Sequence, residues 1–190
     1  MSAAELAENL RELLLPPEEA VKLTSVGGME AAVLVPIYED DDRLVAVFTK
    51  RHSDLRRHAG EISFPGGRRD AGENLRDTAL REAEEEIGLR AELVTIVGAL
   101  APTSTFVTNY VVYPFVGVIE AGAAFEANPA EVESVVELGL PELVAGFERK
   151  RLIRRGVPIK TDTYTVAGHL IWGATARILA ALLERLRPLL

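Results

Sequence analysis

Residues 67–89 read GRRDAGENLRDTALREAEEEIGL, and this stretch decides how the rest of the chain is understood. From Asn74 to Ile87 it holds good helix formers and neither Gly nor Pro. Leu75, Ala79, Ala83 and Ile87 recur every fourth residue, which draws one apolar stripe down a helix and aims it at a core. Asn74 is placed to cap that helix, with Asp77 three residues on, and Gly88 to end it. Glu82, Glu85 and Glu86 then stand at i, i+3 and i+4 and share one face. Three carboxylates so close repel one another, so an isolated helix gains nothing from them. A hard divalent cation removes the penalty, because it takes oxygen ligands and keeps water and phosphate in its shell. Arg81 is positioned to orient one of these carboxylates through a charge-assisted hydrogen bond.

A bare run of glutamates would read as a solvated acidic face. The glycine and glutamate fixed upstream alter that reading, since seven such identities at set spacing arise by chance in roughly one of 10⁷ windows. Gly67, Glu73, Arg81, Glu82, an apolar Ala83, Glu85, Glu86, Gly88 and Leu89 match every specified position of the Nudix box, and the chain resembles the Nudix hydrolases. Ala83 is smaller than the Ile, Leu or Val usual at its place. The resemblance implies an α/β fold, an α/β/α sandwich with a mixed β-sheet between helices. It also implies hydrolysis of a nucleoside diphosphate linked to another moiety. Glu82, Glu85 and Glu86 would hold Mg²⁺ or Mn²⁺, with Glu73 in a supporting or outer-metal role and Glu85 taking the proton of the attacking water. Nudix enzymes often draw a further carboxylate from a loop outside the box, and Glu131 or Glu133 is placed to supply it; both also read as surface residues at a strand entry.

Working outward, 190 residues suffice for one substantial core and do not require two, so a single domain over residues 1–190 is expected. The composition, 48% hydrophobic and 26% charged, is that of an ordinary globular chain. A net charge of −8 argues against nonspecific binding to nucleic acid or a membrane surface. Without cysteine there is no disulfide, thiolate nucleophile or thiolate metal site, which leaves oxygen or imidazole as metal ligands. The N-terminal MSAAELAENL carries acids where a secretion signal needs bases, and no apolar run is long enough to span a bilayer. A cytoplasmic protein is expected.

Leu6, Leu10, Leu13 and Leu14 predict an opening amphipathic helix ended by Pro16 and Pro17. Strands are predicted over 31–38, 44–49, 62–64, 93–100, 110–119 and 132–138, a short helix over 142–147, and a closing helix over 171–186. Acidic residues 39–43 form the first turn, and 102–109 a polar loop.

Before the box lies VFTKRHSDLRRHAGEISFPGG, residues 47–67. Thr49, Arg51, Arg56, Gly60 and Phe64-Pro65-Gly66-Gly67 are in register with the signature of the coenzyme A pyrophosphatase subgroup, which this segment resembles. It departs at Val47-Phe48, where the subgroup has Leu-Leu, and at His52, where Ser or Ala is usual. The resemblance implies coenzyme A and its derivatives as substrates. The charges support an anionic ligand independently: from Arg43 to Arg69 there are seven bases and two acids in an acidic chain. Arg51 and Arg56 are the expected phosphate clamps. Gly66 and Gly67 permit close backbone approach, and the Gly66 carbonyl could become a metal ligand. His58 lies near this site, whereas the segment 168–179 reads mainly as packing. Tyr164 and His169 are secondary candidates for substrate contact. A homodimer is left open, and two alternatives remain: a general diphosphatase acting on NADH, ADP-ribose or related dinucleotides, and a non-catalytic nucleotide-binding domain.

Overall fold

The computed structural model of the protein describes residues 1–23, 25, 28–52, 60–105, 109–154 and 157–190, the side chains of 153–154 and 157–159 excepted. It opens with α1 (Ala3–Leu13), whose Ser2 and Glu5 form a reciprocal capping box, and a short α2 (Pro17–Ala20). Strands β1 (Met29–Asp40) and β2 (Arg43–Arg51) form a hairpin. Its turn is tighter than the predicted 39–43. Asp40 pairs with Arg43, and Asp41 and Asp42 alone make the bend, both at positive φ (48° and 60°). Two left-handed residues give the turn twist that flanking strands require, and Asp tolerates that region better than most side chains.

The short β3 (Ile62–Ser63) and β4 (Gly66–Arg68) come next, followed by α3 (Leu75–Ile87) and a 3₁₀ turn over Ala91–Leu93. Then come β5 (Thr95–Ala99), β6 (Thr103–Ser104), β7 (Tyr110–Val118), β8 (Val132–Gly139) and α4 (Leu140–Ala145). Strands β9 (Phe147–Arg154), β10 (Val157–Val166) and β11 (His169–Ile171) precede the closing α5 (Gly173–Leu186).

One sheet runs β3-β2-β1-β7-β5, with β4 on β1, β6 on β7 and β8 on β2, while β9 to β11 form a second sheet. β1 and β7 are parallel and the other pairs antiparallel, so the main sheet is mixed. Strand periodicity sorts its two faces. Ala31, Val35 and Ile37 of β1, with Leu44, Ala46 and Phe48 of β2, face α1 and α5. Ala32, Leu34 and Tyr38, with Val45 and Val47, face α3. Helices therefore cover both faces, as the α/β/α reading requires. Leu75, Ala79, Ala83 and Ile87 form the buried stripe of α3; the last three are fully buried.

The β1–β2 hairpin opens as it leaves its turn, and this positions the site. Only residues 37–40 of β1 pair with β2; residues 31–33 pair along the same edge with β4, while the far half of β2 takes β3. The Phe64-Pro65-Gly66-Gly67 turn is thus wedged between the two strands, with Leu34 N donating to the Pro65 carbonyl at 2.9 Å.

Several boundaries differ from the sequence reading. The strand predicted at 93 begins at Thr95, because 91–93 close a 3₁₀ turn. Ile171 belongs to β11, and the closing helix starts at Gly173. The 142–147 helix lies two residues earlier, with Pro141 in its first turn. Strand β6 falls in the expected polar loop, and β9–β10 in a tract where polar residues and bases gave no apolar period. No helix among the described residues is long and apolar enough to cross a membrane.

Candidate functional site

Asn74 caps α3 by accepting from Asp77 N at 2.9 Å, and Gly88 ends it in left-handed backbone at φ 67°. Between these stops the helix lays its carboxylates over the Gly66-Gly67 turn. Glu82 covers Gly67 so closely that a Cβ there would stand 2.4 Å from its Oε2, so any larger residue would displace the Glu82 carboxylate. Glu86 reaches Gly66, whose N–H donates to its Oε2 at 3.2 Å.

Arg81 organises the rest. Its Nε and Nη2 donate to the two oxygens of Glu73 at 2.9 and 3.1 Å, a bidentate clamp. Its Nη1 donates to Glu82 Oε1 at 2.8 Å and Glu85 Oε2 at 3.0 Å, and its Nη2 also donates to the Arg68 carbonyl at 3.3 Å. The sequence offered Arg81 one carboxylate; the fold gives it three. Glu73 accepts in addition from Thr78 Oγ1 at 2.7 Å and Asp70 N at 3.3 Å. With these bonds Glu73 supports Arg81. Thr78 and the Asp70 amide were not read from sequence. Helical spacing brings Thr78 beneath Arg81, but Glu73 precedes the helix and its direction follows from the turn.

The electrostatics divide the carboxylates. Glu73 is pulled down to about 2, first by the Arg81 hydrogen bonds. Glu86, 3% exposed, is pushed up to about 7. Burial is the main cause, opposed by the Gly66 N–H and Arg51 and reinforced by Glu82 and Glu131. Glu82 is raised by burial too, against the pull of Arg81. Glu85 lies at the rim, its side chain 56% exposed. Among the described residues no three acidic or imidazole side chains already converge as a ligand set; Glu82 and Glu85 both accept from the one Nη1 of Arg81.

The depressed Glu73 gives a stability prediction. Its contribution is present above the unfolded carboxylate range near pH 4.3 and is lost as pH falls toward 2. Glu73→Gln should destabilise the fold at pH 7 by about 1–2 kcal/mol, discounted for partial solvent screening. Urea titrations should show the gap closing between pH 4 and 2; a gap independent of pH would contradict this role.

The other predicted residues are placed as follows. Arg51 ends β2, with Nη1 3.8 Å from Glu86 Oε1. Glu131 arrives by a turn that clasps the end of α3: Asn128 N donates to the Glu86 carbonyl at 2.9 Å, and Glu131 N to the Asn128 carbonyl at 3.0 Å. His52 N holds the Glu131 carbonyl at 3.0 Å, and the charge of Glu131 acts on both Glu82 and Glu86. Glu133 instead pairs with Lys50 Nζ at 2.5 Å on the surface, away from that pair. Tyr164, 3% exposed, packs in the core shared with α5 and against Phe147. His169 lies on β11, paired with Val166. Arg56 and His58 lie outside the described residues.

Comparison with known proteins gives a consistent picture. The family profile described as NUDIX domain matches residues 28–156. An uncharacterized Nudix hydrolase NudL from Photorhabdus laumondii is 36% identical over 182 residues, covering 94% of this chain and 95% of that protein. Among solved structures, a MutT/nudix family protein from Enterococcus faecalis aligns with a TM-score of 0.59 at 16% identity, covering 99% of this chain and 75% of that one. An Ap4A hydrolase from C. elegans aligns with a TM-score of 0.52 at 18% identity, covering 62% of this chain and 85% of its own. At such identities these two structures speak for the fold alone.

Proposed function

The chain belongs to the Nudix hydrolase family, and from that premise we propose that it hydrolyses the diphosphate of coenzyme A and its derivatives, giving 3′,5′-ADP and 4′-phosphopantetheine or its acyl form. The observation that supports this most is the placement of the upstream signature. Arg51 and Gly66 meet the buried Glu86 while Gly67 lies under the partly buried Glu82, so anion-binding and cation-binding groups adjoin.

The donor set fits a hard divalent cation. Glu82 and Glu86 are both raised by burial, Glu131 adds to that strain, and every candidate ligand is an oxygen. Glu82, Glu85 and Glu86 would hold Mg²⁺ or Mn²⁺, an ion that neutralises charge on the diphosphate and acidifies water. The protein's own groups do the remainder. Arg81, anchored by Glu73, sets the direction of Glu82 and Glu85. Glu85, the most exposed of the three, is the group open to take a proton from the attacking water. Gly67 keeps the turn thin enough for phosphate to approach the helix face. Arg51 and Arg56 are the residues for the diphosphate or the 3′-phosphate.

Hydrolysis rates for coenzyme A, NADH and ADP-ribose, measured side by side with Mg²⁺ and with Mn²⁺, test the substrate. Coenzyme A should be turned over fastest. An NADH rate about tenfold higher would overturn the assignment in favour of a general dinucleotide diphosphatase.

A further inference from the structure

Arg51 stands at a junction. Its N–H donates to the Glu61 carbonyl at 3.0 Å and its carbonyl accepts from Gly60 N at 3.1 Å, so backbone bonds hold it where β2 ends. Among the described residues its side chain is the cation paired with the deepest carboxylate of the site, 30% exposed against 4% for Glu86. Yet the pair is loose. The 3.8 Å separation contrasts with the 2.9 and 3.1 Å bidentate clamp of Arg81 on Glu73. Arg51 Nε is also buried, and among the described residues no acceptor lies in its reach. A buried donor without an acceptor is costly and uncommon in a folded protein.

A firm ion pair would compete with a metal for Glu86, and no ion pair would leave that carboxylate buried and unbalanced. A loose one does neither. We propose that Arg51 is the resident counter-ion of Glu86, which yields that carboxylate to a divalent cation and then offers its guanidinium, with the unspent Nε–H, to the diphosphate. Cation and diphosphate binding are thereby coupled through one side chain. The inference rests on the hydrolase reading above and adds an order to it, cation first and anion second.

The test needs neither coenzyme A nor turnover. Mn²⁺ affinity is measured by calorimetry at pH 8.5 for the wild type, Arg51→Gln and Arg51→Lys. Removing the arginine charge favours a divalent ion twice as strongly as a competing proton, so Arg51→Gln should bind Mn²⁺ about fivefold more tightly. Arg51→Lys keeps the charge and should stay within about twofold of the wild type. Binding of methylenebisphosphonate, a P–C–P analogue, to the Mn²⁺-saturated proteins should then weaken roughly tenfold in Arg51→Gln. Unchanged or weaker Mn²⁺ binding in Arg51→Gln, or unchanged methylenebisphosphonate binding, overturns the proposal. Arg51→Met serves as the neutral variant if Gln fails to fold. Failure on the coenzyme A panel leaves these measurements standing, so the two readings fail separately.

Discussion

Glu86→Gln should abolish metal-dependent hydrolysis and, in EDTA above pH 7, make the fold more stable. Both effects come from one observation: a carboxylate 3% exposed and pushed up to about 7 by burial. Its folded value lies above its unfolded value of about 4.3, so the folded state holds the proton more tightly. That preference contributes fully below the unfolded value and is lost as pH rises through 7. The metal-free protein therefore carries a penalty on the order of 1–3 kcal/mol at pH 8 that neutral, nearly isosteric Gln does not. Thermal unfolding in EDTA should show the variant more stable at pH 8 and equal to the wild type at pH 4. Turnover with Mg²⁺ should fall by roughly 10³-fold or more, because a neutral amide cannot replace a charged ligand. Glu82→Gln should lose activity similarly. Unchanged turnover in both variants would mean that the chemistry lies elsewhere.

The second large effect is on the fold itself. Gly66→Ala should cost about 3 kcal/mol or more of stability. A Cβ at Gly66 would meet the Ala32 carbonyl oxygen at 2.4 Å and Val33 Cα at 2.6 Å. Both are backbone atoms of β1, which is paired with β7 along its other edge and cannot give way. At Gly67 the obstacle is the end of a flexible side chain, the Glu82 carboxylate. Gly67→Ala should therefore fold nearly as well as the wild type but lose activity as Glu82 is displaced. Urea midpoints and turnover for the two variants should separate in opposite directions. If Gly66→Ala unfolds within about 1 kcal/mol of the wild type, β4 does not lie against β1 as described.

The α3 carboxylate face and its burial pattern were legible because both depend on the 3.6-residue period alone, which any reader of 74–88 can count. Glu82, Glu85 and Glu86 needed no tertiary information to be found. Their division of labour did. Glu85 and Glu86 are neighbours in sequence, yet one is half exposed and the other buried, since the helix turns about 100° between them and the sheet lies on one side only. Glu131 and Glu133 were indistinguishable by spacing. The bulge where β2 and β8 shift register at Lys50/Arg51 leaves Glu133 with Lys50, while the Asn128 turn brings Glu131 to the site. A single irregular pairing decides such a choice, and no residue count reveals it.

By itself the sequence determined the helix, its stops, the three carboxylates that share its face and the basic segment set before them. These are local properties, settled by periodicity, capping and charge within a few dozen residues. Only the tertiary structure decided that Arg81 holds three carboxylates, that Glu73 supports it, that Tyr164 is core and that Arg51 meets Glu86. Those contacts join the box to β2, the Gly66-Gly67 turn and the 128–131 turn, segments whose mutual placement depends on how the β1–β2 hairpin opens to admit β3 and β4. Pairing between distant strands sets that opening, and the desolvation that sorts the carboxylates follows from it.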